Sequence, residues 1–278
     1  MHPAPPRPRT WQGGLLALAL LFPGAAFAQE QTGWFDGMFD DVQFAGTLGM
    51  GYSNGDYATT RNTNVELGLP VLSATAGDFK FNVSMPYMRV SGRGLVIFDA
   101  TGNPIVVNRR TALPPVTRTG FGDLSFGGTY SVPSSFLDDF EVKVSAGIKV
   151  PTASTRRRLS TGETDFTMSV DVARQFGDWG PFVKVGYLVP GVPAAFKLFN
   201  TVSVSAGTSY TISDNLVVVA SYDFDSASTP LVTASHEVFG SLSWIRDNGM
   251  TLTGYGTAGL TSGSPAIGAG LLVSYAFN

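Results

Sequence analysis

Charged residues make up only 14% of this 278-residue chain, and many stand alone inside apolar stretches. Asp123, Lys149 and Asp165 are of this kind, as are Glu141, Lys143, Asp171, Lys184 and Asp223. Isolated carboxylates and ammonium groups can pair with one another, line a path for ions or move protons. A nucleophilic hydrolase needs a histidine beside its serine. His236 is the one histidine after the leader, it is followed by Glu237 and Val238, and no serine stands two residues beyond it. The chain has no cysteine, no Cys/His cluster at metal-ligand spacing and no glycine-rich phosphate loop between strand and helix. Neither an enzyme nor a cofactor is expected. Arg109-Arg110 and Arg156-Arg157-Arg158 are the concentrated charges, and guanidinium forks suit phosphate groups.

The elements that carry these groups follow from hydrophobic periodicity. Leu216, Val218, Ala220, Tyr222 and Phe224 alternate with other residues, as do Ile267, Ala269, Leu271, Val273, Tyr275 and Phe277. A period of two places each set on one face of a strand. Twelve such segments are expected, at 42–52, 63–71, 79–89, 121–132, 140–150, 164–176, 181–189, 201–210, 216–224, 236–244, 250–258 and 266–277. The links at 177–180, 213–215 and 246–249 are short and rich in Gly, Asp and Asn. Those at 53–62, 90–120, 151–162 and 225–235 are longer, and residues 90–120 read as an external hairpin, with two further spanning strands as the alternative. Together these features predict an all-β fold: a transmembrane antiparallel up-and-down β-barrel of about 12 strands, apolar outside and polar inside, with both termini periplasmic. A soluble β-sandwich also alternates, but its outward face need not stay apolar on every strand.

Residues 1–28 read as a signal peptide, with Arg7 and Arg9, a short apolar core and Ala26-Phe27-Ala28 before Gln29. Residues 29–41 read as a periplasmic N-terminal segment, with a plug inside the barrel as the alternative, and 42–278 as the barrel. The leader holds two of the 18 basic residues and none of the 21 acids, so the remainder has a net charge of 16 − 21 = −5. This mild acidity gives no support to nucleic-acid binding. The expected location is the bacterial outer membrane, and the expected partners are its lipid and lipopolysaccharide and the barrel-assembly machinery during insertion.

Parity along each strand sorts the charges. Leu124, Phe126 and Tyr130 face lipid, which turns Asp123 inward. The same rule turns Glu141, Lys143 and Lys149 inward on the fifth strand, Asp165 and Asp171 on the sixth, Lys184 on the seventh and Asp223 on the ninth. A Lys or Arg on the lipid face at mid-membrane costs about 2–4 kcal/mol, which explains the sorting. Asp123 starts a descending strand, Lys149 ends a rising one and Asp165 starts the next. The three are expected to cluster at the outer mouth, either as a selectivity element or as an ion-pair network that fixes loops. Arg109, Arg110, Arg156, Arg157 and Arg158 fall in outer loops, where lipopolysaccharide phosphates, anionic solutes or plain solvation are open to them.

Gly120-Phe121-Gly122-Asp123-Leu124-Ser125, Ala146-Gly147-Ile148-Lys149-Val150-Pro151-Thr152, Gly162-Glu163-Thr164-Asp165-Phe166 and Gly254-Tyr255-Gly256 resemble segments of the MetA-pathway-of-phenol-degradation-like family of outer-membrane transporters. The resemblance spans most of the chain after the leader. It implies a single outer-membrane barrel with a channel or uptake role, and by association aromatic or apolar solutes. Inward Leu188, Val217, Val219 and Leu272 agree with such a path. A structural or adhesive barrel without a through-path is the competing expectation.

Overall fold

In the computed structural model the described residues are 42–56, 62–92, 95–98, 104–108, 116–133, 139–194 and 197–277. The leader 1–28, the segment 29–41, Arg109 and Arg110 lie outside them. The strands are β1 (Val42–Gly55), β2 (Thr63–Ala76), β3 (Phe79–Ser84), β4 (Tyr87–Gly92), β5 (Leu95–Phe98), β6 (Pro104–Asn108), β7 (Val116–Phe121) and β8 (Leu124–Val132). They continue as β9 (Phe140–Val150), β10 (Asp165–Arg174), β11 (Trp179–Val189), β12 (Thr201–Ser213), β13 (Leu216–Asp225), β14 (Ser235–Ile245), β15 (Met250–Gly259) and β16 (Ile267–Phe277).

β3 and β4 keep one register against β2, with Ser84 opposite Val71 and Tyr87 opposite Gly68, so they are halves of one barrel strand. β7 and β8 are likewise one strand, paired with β4 and β3 respectively. The result is a twelve-stranded antiparallel sheet that closes on itself, because β1 pairs with both β16 and β2. Closure rules out a sandwich and leaves no unpaired edge in the hydrocarbon, where an unsatisfied backbone group costs several kcal/mol. β5 and β6 form their own two-stranded sheet and add no spanning strand, while residues 90–92 and 116–120 of the expected link instead extend β4 and β7 of the barrel.

The outward face is apolar on every side of the barrel. Leu48, Leu72, Phe81, Phe126, Met168, Leu242 and Leu271 are all exposed, Leu72 to 60%, a surface that only lipid would solvate favourably. No helix among the described residues is long and apolar enough to cross a membrane; the strands supply the span. Aromatic pairs ring the short-turn end, including Phe79–Tyr130 at 4.9 Å and Trp179–Tyr210 at 4.7 Å. Arg174 lies 5.0 Å from the rings of both Phe140 and Phe176, and Arg246 lies 5.2 Å from Trp244. Such a girdle belongs at a membrane–water boundary. Inside, hydroxyls pair across the wall, as in Thr47–Ser274, Thr129–Ser145 and Ser243–Thr253, each at 2.9 Å.

Several strand ends differ from the alternation. β2 runs on to Ala76 because the small residues at 73–76 still pair with β1. β12 runs on to Ser213 through a register shift between Thr211 and Ser213. The 177–180 turn shrinks to Gly177-Asp178, because Trp179 and Gly180 pair with Tyr210 and Ser209. Gly77 (φ 55°) and Gly177 (φ 59°) occupy the left-handed conformation these tight turns require.

Glycines on the inner wall accept large neighbours. Tyr255 lies over Gly51 and Gly270; a Cβ on Gly51 would stand 2.6 Å from its hydroxyl, and one on Gly270 would collide with both the Tyr255 ring and the Met50 carbonyl. Gly270→Ala is therefore expected to destabilise the barrel by about 1–3 kcal/mol through overpacking. Gly254→Ala, whose Cβ meets only Leu271 at 3.7 Å, is expected to be neutral. Urea unfolding of the micelle-refolded barrel, followed by tryptophan fluorescence, compares the two.

Candidate functional site

Two interruptions of the ladder lie side by side toward the long-loop end. Pro86, in the break between β3 and β4, has no amide hydrogen to donate, and its carbonyl accepts the Gly122 amide at 2.7 Å. Three residue steps separate Ser84 from Tyr87, but four separate their partners Ser125 and Phe121. The extra residue is a β-bulge at Gly122-Asp123. It leaves Phe121 and Leu124 both on the lipid side, although strict alternation from Leu124 would turn Phe121 inward; Phe121 is 56% exposed. Gly122 and Asp123 both turn inward, and the missing Cβ of Gly122 makes room for Met88.

The bulge aims Asp123 at Lys149. Lys149 Nζ lies 3.3 Å from Asp123 Oδ2 and 2.7 Å from Asp165 Oδ2. Lys149 and Asp165 are also register partners on β9 and β10. All three are buried, Asp165 completely. Their remaining bonds go to connections outside the ladder. Asp123 Oδ1 accepts the Ala153 amide at 2.9 Å, and its Oδ2 accepts the Ser160 hydroxyl. Lys149 donates to Thr161 Oγ1 at 3.4 Å. Asp165 Oδ1 accepts the Gly191 amide at 2.9 Å. The triad thus ties the connection 151–164, and the start of the next long-loop-end connection at Gly191, to the inner wall. Groups enclosed in this way bond to one another and to loop atoms.

The other inward charges form a second arrangement. Lys143, Asp171, Lys184, Ser205, Asp223 and Glu237 are successive register partners from β9 to β14. Lys143 lies near the short-turn end of its strand and Glu237 near the long-loop end, so this row climbs around the wall with the strand tilt. Lys143 pairs with Glu141 at 2.6 Å and Lys184 with Asp171 at 3.8 Å. Asp223 and Glu237 each accept a serine hydroxyl at 3.0 Å, from Ser221 and Ser235. Glu237, the register partner of Asp223, is inward as well.

Arg157 turns back onto the barrel, donating from Nη1 to the Thr119 carbonyl at 2.8 Å. The Arg158 carbonyl accepts from Arg118 at 3.0 Å. Arg156 is exposed. His236 lies on the outward face of β14, where its Nδ1 shares a hydrogen bond with the Tyr222 hydroxyl, and Ser264 bonds the His236 backbone, not its ring. No group of three or more His, Cys, Asp or Glu among the described residues is placed to hold a metal.

Sequence reasoning missed the connection 151–164 itself. A 3₁₀ turn at Thr155–Arg157 sends Leu159 inward, where it is buried with Val65, Met88 and Val90 and flanked by Leu67 and Val232. Gly120 provides the seat: a Cβ there would stand 2.7 Å from Arg157 Nη1 and 3.3 Å from Leu159 Cδ1. For the bulge, the available signal was the pair of apolar residues Phe121 and Leu124 bracketing Gly122-Asp123, an even-numbered gap that alternation does not allow.

No family model matches this sequence, and no curated protein sequence matches it. Solved structures do match. The COG4313 outer membrane channel from Pseudomonas putida F1 aligns over 90% of this chain and 100% of its own, at 11% identity and a TM-score of 0.65. The NanC porin aligns over 84% of this chain and 99% of its own, at 10% identity and a TM-score of 0.51. At such identities the likeness establishes the outer-membrane-type barrel fold.

Breaking a buried ion pair by removing one partner typically costs about 3–5 kcal/mol. Lys149→Ala is expected to lower the unfolding free energy of the refolded barrel by that order, seen as a lower unfolding midpoint, and to leave ion selectivity unchanged. The reversal potential of single channels across a salt gradient reads the second quantity. A changed reversal potential with an unchanged unfolding midpoint would make the triad a selectivity element instead.

Proposed function

We propose that this protein is an outer-membrane channel for passive uptake of small molecules, aromatic or apolar ones in particular. The observation that carries this reading is a closed twelve-stranded barrel whose outer face suits lipid while its inner wall separates charged from apolar rows. Twelve strands lie between eight-stranded barrels, which side chains fill, and sixteen-stranded water-filled porins. The long-loop end is the outer one, and residues 1–28 act as the export signal. The resemblance to the phenol-degradation-associated transporters and the barrel shared with the Pseudomonas putida channel support the same reading. In it, the Asp123–Lys149–Asp165 triad fixes the outer loops, and the climbing charged row supplies the polar side of the lumen. Exposed Arg156 is available to lipopolysaccharide phosphate.

A structural barrel without a through-path is the second reading. The inward fold of residues 151–164 favours it, since Leu159 is fully buried at the mouth. Swelling of liposomes containing the refolded full chain, measured with solutes of graded size and polarity, separates the two. Permeation that falls with solute size is expected of the channel. Swelling no faster than protein-free liposomes for every solute would establish the structural reading.

A further inference from the structure

The inner wall is polar over much of its area, with serine, threonine, glycine and paired charges. At the outer end it carries an apolar patch of another character. Val65 and Leu67 on β2 and Met88 and Val90 on β4 face inward together. Left open to water in a channel mouth, this patch would be unfavourable. Leu159, from the 151–164 connection, packs onto it, and Val232, from the connection between β13 and β14, packs beside it.

The cover is attached mainly by polar contacts. Asp123 holds Ala153 and Ser160, Lys149 holds Thr161, and the Thr119 carbonyl holds Arg157. An apolar solute that displaced Leu159 would exchange one apolar contact for another, so the exchange itself is nearly balanced.

The patch also leads onward. Met88 and Leu67 continue in register through Gly51 and Gly270, beneath the Tyr255 ring, toward Val219. Tyr255 stacks on Phe239 at 6.0 Å and 18°, and Phe239 belongs to a second buried apolar cluster with Val219. Val219 lies near the short-turn start of β13, so this lane descends through the barrel. No charged residue stands in that register row. Lys143, Asp171, Lys184, Asp223 and Glu237 share a separate row, and Arg118, the register partner of Val90, stands at the edge of the patch.

We propose that Val65, Leu67, Met88 and Val90 form the outer binding site for a small uncharged apolar or aromatic solute, and that Leu159 occupies this site as a built-in stand-in until solute displaces it. This rests on the channel reading and adds to it a named site, a solute class and a residue that competes for the site.

The test uses the full chain refolded into planar bilayers, each variant checked for the heat-modifiable gel mobility of a folded barrel. Leu159→Ala is expected to conduct severalfold more than the parent. Benzyl alcohol, neutral and aromatic, is expected to block the enlarged current at a concentration roughly tenfold below that of glycerol, in line with the discrimination one or two apolar contacts provide. Adding Val90→Thr and Met88→Thr to Leu159→Ala is expected to weaken the benzyl alcohol block while leaving the conductance high. The proposal is overturned if Leu159→Ala conducts like the parent, if glycerol blocks as well as benzyl alcohol, or if the wall substitutions leave the block unchanged. If neither the parent nor any folded variant conducts, the channel reading falls and this site falls with it. If the parent conducts and only the Leu159 or wall responses are missing, the channel reading stands without this site.

Discussion

Hydrocarbon offers no partner to a backbone N–H or C=O, and the rest of this structure depends on that constraint. Every strand inside the membrane must pair on both sides, so the sheet closes and β1 meets both β2 and β16. Closure in turn forces strict alternation, because one face of each strand meets lipid and the other the lumen. It also tilts the strands, and the tilt makes register partners climb around the wall. The lumen is therefore organised in rising rows: Lys143, Asp171, Lys184, Asp223 and Glu237 share one, while Met88, Leu67, Tyr255 and Val219 share another.

The ladder is relaxed where function can use it. Pro86 and the Gly122-Asp123 bulge sit together toward the outer end, and the Gly122 amide finds the Pro86 carbonyl so that the defect leaves no donor stranded. The bulge delivers a carboxylate to a lysine that already faces another carboxylate across the sheet. Burying three charges is favourable only when their other bonding positions are filled. Ala153, Ser160, Thr161 and Gly191 fill them, and all four belong to connections rather than strands. Through this requirement the electrostatics of the wall determines where the outer loops lie.

Glycine has a corresponding role on the inner wall. Gly51 and Gly270 leave a flat surface for Tyr255, and Gly120 and Gly122 leave space for Leu159, Arg157 and Met88. On this wall, absent side chains set which large ones can lie against it.

The sequence by itself determined the barrel, a count of about twelve strands and the inward turn of charges such as Lys143, Asp171 and Lys184, because alternation is local and a misplaced charge on the lipid face is costly. It also placed Asp123, Lys149 and Asp165 at one depth, since strand position and direction suffice for that. What only the tertiary structure decided was how those three are used and what stands above them. Residues 151–164 have no period, so their inward path follows from long-range bonds to Asp123, Lys149 and Thr119. The row that joins Tyr255 to Leu67 depends on the pairing register of β15, β16, β1 and β2, which local pattern does not encode. A bulge of one residue and the stagger of closed strands are properties of pairs of segments, and they exist only once the sheet has closed.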